Sequence, residues 1–182
     1  MEKESFIFRR AEVDDILSVM KVIENRCLWM KENGINQWDE EYLKFYNFNY
    51  FKERVEKREL FLVENFQKIV GTFVLLEEDE RWDNDVPAYY IHNFATDTKI
   101  RGIGSEIIEY CEDLCRENSK KTLRLDCNIN NNKLNDYYEK KDFLGLIVVP
   151  TSLLHNWKEE FSKFCNIKPI LVEGTSKKRR DL

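Results

Sequence analysis

The apolar positions of this chain follow two alternating periods, and the changes between them mark its elements. FIFRR (6–10) reads as a short strand. In AEVDDILSVMKVIENRCLWMKENG, Val13, Ile16, Leu17, Met20, Ile23 and Cys27 recur at helical spacing, which predicts a helix. Asp14 and Asp15 suit its first turn, where they complement the helix dipole, and Gly34 suits its end. INQWDEEYLKFYNFNYF has no clean period, and a shorter helix is predicted from after Asn49 to Arg58. LFLVEN (60–65) and KIVGTFVLLEE (68–78) read as an antiparallel pair joined by a turn at Phe66-Gln67. EDERWDNDVP is a polar loop, and YYIHNFAT (89–96) is the next strand.

A helix from about Gly104 to Asn118 follows, with Ile103, Ile107, Ile108, Cys111, Leu114 and Cys115 as its apolar stripe. TLRLDCN (122–128) is a strand and NNKLNDYYEKKD (131–142) a helix. The order β-α-α-β-β-β-α-β-α mixes hairpins with one crossover. It predicts an α/β or α+β fold built on a single mixed sheet.

Composition narrows the function more than the fold. A chain of 182 residues, 42% hydrophobic, can bury a core without metal or disulfide staples. Its net charge of −5 leaves no global footprint for nucleic acid. The charge is uneven, however: residues 144–182 carry 7 basic and 4 acidic side chains, and the first 143 carry 22 and 30. Five cysteines, an odd number without CxxC spacing, fit reduced thiols in a cytosol. Cys111 and Cys115 lie one turn apart on an apolar face and read as small buried hydrophobes, with no metal site implied. No apolar run is long enough to span a membrane, and MEKESFIFRR has no signal-peptide pattern. The expectation is a soluble, cytoplasmic protein.

The candidate chemistry sits at KIRGIGS (99–105), between a strand and an amphipathic helix. A turn that opens a helix presents backbone N–H groups and the positive end of the dipole, which together attract phosphate. Glycines at 102 and 104 remove side chains that would hold a phosphate away, and they permit positive φ. A Walker loop needs a lysine after its last glycine, but Gly104 is followed by Ser105-Glu106. A dinucleotide fingerprint needs a further glycine or alanine at position 107, where Ile107 stands, and an earlier place in the chain.

FATDTKIRGIGSEII, followed by LRLDCNINNNKLNDYYEKKDF, resembles the GCN5-related N-acetyltransferases, the GNAT family, over about residues 5–143. Lys99 stands where that family's loop usually has Arg or Gln. The resemblance implies an acyl-CoA N-acyltransferase fold in which strands 89–96 and 122–128 splay apart. It implies acetyl-CoA as co-substrate, with pantetheine along Phe94, Ala95 and Thr96. The diphosphate would lie on Lys99, Ile100, Arg101, Gly102, Ile103, Gly104 and Ser105, and Asn131 would touch the pantetheine arm. Tyr138 matches the family tyrosine that protonates the leaving thiolate; a phenol near ~10 is matched to that task. Asn131 can equally cap a helix, and Tyr137 competes with Tyr138 on composition alone. For the general base, Glu77, His92 and a water chain stay open. Trp38 and Trp82 can hold a cationic amine by cation–π contact. The carboxylates Glu77, Glu78, Asp79, Glu80, Asp83 and Asp85 read first as a solvated loop.

The end of the chain departs from that family. Asp142 stands where glycine is usual, and residues 145–182 resemble a fragment of SWI/SNF-type helicase ATPases, without a Walker loop or a DExx box. The expected division is an acetyltransferase domain, 1–143, and an atypical β-α-β segment, 144–182. LGLIVV can fill the missing strand position; otherwise an exposed apolar segment favours a homodimer. The reading is an acetyltransferase acting on a small-molecule or protein amine, with no nucleic-acid or membrane partner. Its alternative is a CoA-binding module impaired by the replaced strands.

Overall fold

Five strands lie side by side in sequence order: β1 (Ile7–Arg10), β2 (Leu60–Asn65), β3 (Lys68–Leu76), β4 (Ala88–Thr96) and β5 (Thr122–Leu125). The structure is a computed structural model that describes residues 6–35, 37–82, 86–128 and 131–141. Strands β1 to β4 pair antiparallel, and β4 pairs parallel with β5. A parallel pair needs a crossover, which α4 (Ile103–Glu117) supplies. The result is the mixed α/β sheet that the alternation of periods predicts.

Both faces of the sheet are covered, which is why LFLV in β2 is a continuous apolar run. Ile103, Ile107, Cys111 and Cys115 of α4 pack with Phe61, Val63, Phe73, Leu75, Tyr89 and Ile91. On the opposite face, α1 (Ile16–Glu32) and α3 (Phe48–Glu56) bring Ile16, Val19, Ile23, Cys27 and Phe51 onto Leu60, Leu62, Val74 and Ala95. Phe66 and Gln67 close the β2–β3 hairpin with φ of 47° and 60°, a two-residue turn whose twist suits the strands.

The first helix begins later than its periodicity predicts. Val13–Asp15 form a 3-10 turn, because the Asp15 carboxylate accepts from the Glu12 N–H at 2.7 Å while Arg9 holds it from β1 at 2.7 Å. Gly34 ends α1 with φ +68°, and Ile35 N–H reaches back to the Met30 carbonyl at 2.9 Å. The aperiodic stretch contains a helix the pattern missed, α2 (Glu40–Phe45), too short at six residues to show a period. Its cap, Asp39, accepts from the Tyr42 N–H at 3.0 Å. Cys27, Cys111 and Cys115 are buried free thiols; burial pushes Cys27 up to about 11. Among the described residues no acidic, His or Cys cluster could hold a metal, and no helix is long and apolar enough to cross a membrane.

The chain divides into two units, Met1–Asn131 and Asn132–Leu182, the second opening with α5 (Asn132–Glu139). Asp142, LGLIVV (144–149) and the rest of the expected β-α-β, helicase-like segment lie outside the described residues.

Candidate active site

Strand β4 is paired unevenly on its two sides, and this shapes the site. Against β3, Thr72 faces Ala95 and Val74 faces His92, so Phe73 lies opposite two residues, Asn93 and Phe94. That is a bulge, with Asn93 in the left-handed region at φ 48°. Against β5, the ladder ends at Ile91↔Leu125, whereas β4 continues to Thr96. Among the described residues none of β5 pairs with His92–Thr96, so the parallel ladder covers only the first part of β4.

The strand leads directly into the glycine loop. Asp97 pins the turn: its N–H donates to the Val70 carbonyl at 2.7 Å, and its carboxylate accepts from the Lys99 N–H at 2.9 Å and Lys68 Nζ at 3.1 Å. The Lys99 N–H, despite some burial, holds the Asp97 carboxyl below its ordinary value. Gly102 caps α4 with φ 89°, and its carbonyl accepts from the N–H of Ser105 and Glu106. The Ile103 and Gly104 N–H groups therefore stand before the first intrahelical bond. Only Gly102 uses the left-handed freedom expected of both glycines; Gly104 lies inside the helix. Lys99, Arg101 and Gly102 are exposed, Ile100, Gly104 and Ser105 half-buried, and Ile103 buried.

The bulge is held from the α2–α3 side. Asn93 is 7% exposed; its Oδ1 accepts from the Tyr50 hydroxyl at 3.0 Å, and its Nδ2 donates to the Tyr42 hydroxyl at 2.7 Å. Burial raises both phenols well above their ordinary value, so both stay protonated. Trp38 stacks on Tyr42 at 4.7 Å, and Tyr46 bridges Tyr42 and Tyr50 at 4.3 and 4.8 Å. Thr96, at the end of the strand, accepts from Arg26 of α1 through its carbonyl at 2.6 Å and through its hydroxyl.

Beside Asn93, His92 faces a charged cluster. Its Nε2 lies 3.0 Å from Asp79 Oδ2, and Arg81 Nη2 lies 2.8 Å from Nδ1 and 3.2 Å from Nε2. Arg81 also pairs with Asp79 at 3.0 Å and reaches Asp126 at 3.5 Å. Burial and the Arg81 charge lower the His92 pKa, so the ring is neutral at pH 7. The acidic loop is thus not simply solvated: Asp79 is buried, and its bonds to Arg81 outweigh burial and hold it below the usual carboxylate range. Asp83 and Asp85 lie outside the described residues.

The remaining expected residues fall elsewhere. Glu77 is exposed and paired with Lys120 at 2.6 Å, so the structure does not join the two base candidates. Trp82 carries Arg124 over its ring at 5.3 Å, and Trp38 has one face on Tyr42, so each indole has a face engaged. Phe94 packs toward α4, and Ala95 is buried toward α1. Asn131 directly precedes α5, with its N–H on the Asn128 carbonyl at 2.9 Å. In α5, Tyr137 and Tyr138 are both half-buried, with ring centroids 5.5 Å apart.

The model of a family described as Acetyltransferase (GNAT) family matches residues 24–143. The chain belongs to the GNAT acetyltransferase family. A GNAT acetyltransferase from Listeria monocytogenes is 27% identical, with 79% of this chain and 89% of that one covered and a TM-score of 0.66. The PaiA N-acetyltransferase of Thermoplasma acidophilum in complex with coenzyme A shares the fold at 13% identity, 81% and 94% coverage and a TM-score of 0.61. A predicted acetyltransferase from Clostridium acetobutylicum with acetyl-CoA does so at 17%, 83% and 98%, and 0.57. A search of curated proteins returns no match. GNAT enzymes use acetyl-CoA as acyl donor.

Proposed function

We propose that the protein moves an acetyl group from acetyl-CoA to a primary amine, on a small molecule or a protein, by direct attack in a ternary complex. The observation that carries this reading is the end of the β4–β5 ladder at Ile91, with β4 running on into a loop whose amides begin α4. In this reading the main chain of Phe94–Thr96 lines the pantetheine arm, assisted by Asn131. The N–H groups from Ile100 to Gly104 take the diphosphate, with the Ser105 hydroxyl beside them.

The amine nitrogen bonds to the acetyl carbon, the carbon–sulfur bond breaks, and the amine gives up one proton. Main-chain N–H groups near Ala95 and Thr96 donate to the carbonyl oxygen as charge develops on it. Tyr138 supplies the proton that the leaving thiolate takes. Both side-chain base candidates are engaged, His92 by Arg81 at Nδ1 and by Asp79 at Nε2 and Glu77 by Lys120, so in this reading the amine proton leaves through a water chain. Incubating the protein with acetyl-CoA and a panel of primary amines, and measuring free thiol, tests the reading. Amine-dependent thiol release is the expected result. A folded protein that binds coenzyme A but releases no thiol with any amine of the panel is instead a CoA-binding module.

A further inference from the structure

We infer that Tyr42 and Tyr50 are positioning residues for acyl transfer: from α2 and α3 their hydroxyls grip the side-chain amide of Asn93 and hold it in the left-handed conformation that shapes the β4 bulge. The inference rests on the acetyl-transfer reading and deepens it by naming what fixes the main chain beyond the end of the β4–β5 ladder.

A left-handed bulge position is ordinarily glycine's, because a side chain there is disfavoured unless something retains it. Asn93 stands there at φ 48°, nearly buried, with both ends of its amide engaged at 3.0 and 2.7 Å. The consequence reaches the residues that follow. Strand side chains alternate between faces, so a strand without the extra residue would exchange the faces of Phe94 and Ala95. Phe94 now packs on the α4 side and Ala95 is buried on the α1 side. The bulge therefore sets which main-chain groups of Phe94–Thr96 turn toward the β5 side of the strand. Because the two hydroxyls come from the aromatic stretch carrying Trp38 and Tyr46, the packing of that stretch is joined mechanically to the strand.

The test uses Tyr42→Phe, Tyr50→Phe, the double variant, and the double variant with Asn93→Gly. Turnover is read with acetyl-CoA and an amine from the panel, and the backbone amide resonances of Phe94 and Ala95 are recorded alongside. Each single variant should lower kcat about tenfold and the double about a hundredfold, with KM for the amine within about threefold. The Phe94 and Ala95 resonances should move in step. Glycine takes the left-handed conformation unaided and leaves no buried amide unsatisfied, so the triple variant should recover kcat to within about tenfold of wild type. Wild-type kcat in the double variant, a loss confined to KM, or a loss that glycine does not relieve would overturn the inference. If wild type acetylates no amine, the acetyl-transfer reading fails and the resonances alone decide. Unmoved signals in the folded double or single variants overturn the clamp; displaced signals that glycine restores uphold it.

Discussion

Replacing Gly71 with valine will both destabilise the protein and weaken its hold on coenzyme A. Gly71 lies within β3, paired with Val63 on one side and Thr96 on the other. A Cβ there would stand 3.1 Å from Ile103 Cγ2 and 3.3 Å from both Ile107 Cδ1 and Val63 Cγ2. All three neighbours are fully buried, so they have little room to withdraw. The two further methyls of valine overpack the contact, at a cost of about 2 kcal/mol. Ile103 is the first residue of α4, so relief by moving the helix displaces the amides that begin it. A displacement of that kind should weaken coenzyme A by about tenfold, or about 1.4 kcal/mol. Urea unfolding and calorimetry on the folded variant measure the two effects. No change in either would mean that β3 does not fix the start of α4. Gly102 is a different case: a Cβ would meet nothing within 4 Å, and only the φ of 89° is at stake.

Changing Tyr138 to phenylalanine should lower kcat about a hundredfold, the range for loss of a positioned general acid, and leave coenzyme A affinity within about twofold. In the proposed mechanism the hydroxyl acts when the thiolate leaves and not when the cofactor binds, so rate and affinity separate. Tyr137→Phe is the control. Adjacent helical positions point about 100° apart, so only one of the two phenols can serve the same atom. Loss of rate in Tyr137→Phe with Tyr138→Phe intact would exchange their roles. Equal, small effects in both would remove the general acid from α5.

The sheet and α4 were legible in the sequence because both faces of the sheet are buried and each period runs long enough to count. α2 was not, since six residues hold less than two turns and its neighbours Trp38, Tyr46 and Phe48 are apolar on every side. The turn that opens α4 was legible because its left-handed cap at Gly102 favours glycine. Asn93 left a trace that is clear only afterwards. Tyr89, Ile91 and Phe94 share the α4 face, and their spacing of two and then three marks an extra residue in the strand. Its partners Tyr42 and Tyr50 could not be read, because nothing in an aperiodic aromatic run says which hydroxyl turns inward. Asp79 was hidden for a related reason: within a run of carboxylates, burial of one depends on Arg81 and His92 meeting it in space. Gly71 carried a signal that pattern reading passes over, a glycine inside an otherwise apolar strand, which marks a close approach.

Titration of the full chain with coenzyme A in a calorimeter tests most directly whether main chain at the end of β4 and at the start of α4 holds an acyl carrier. The account predicts saturable heat corresponding to one site per chain. Folded protein that gives no heat at any concentration of coenzyme A would contradict it.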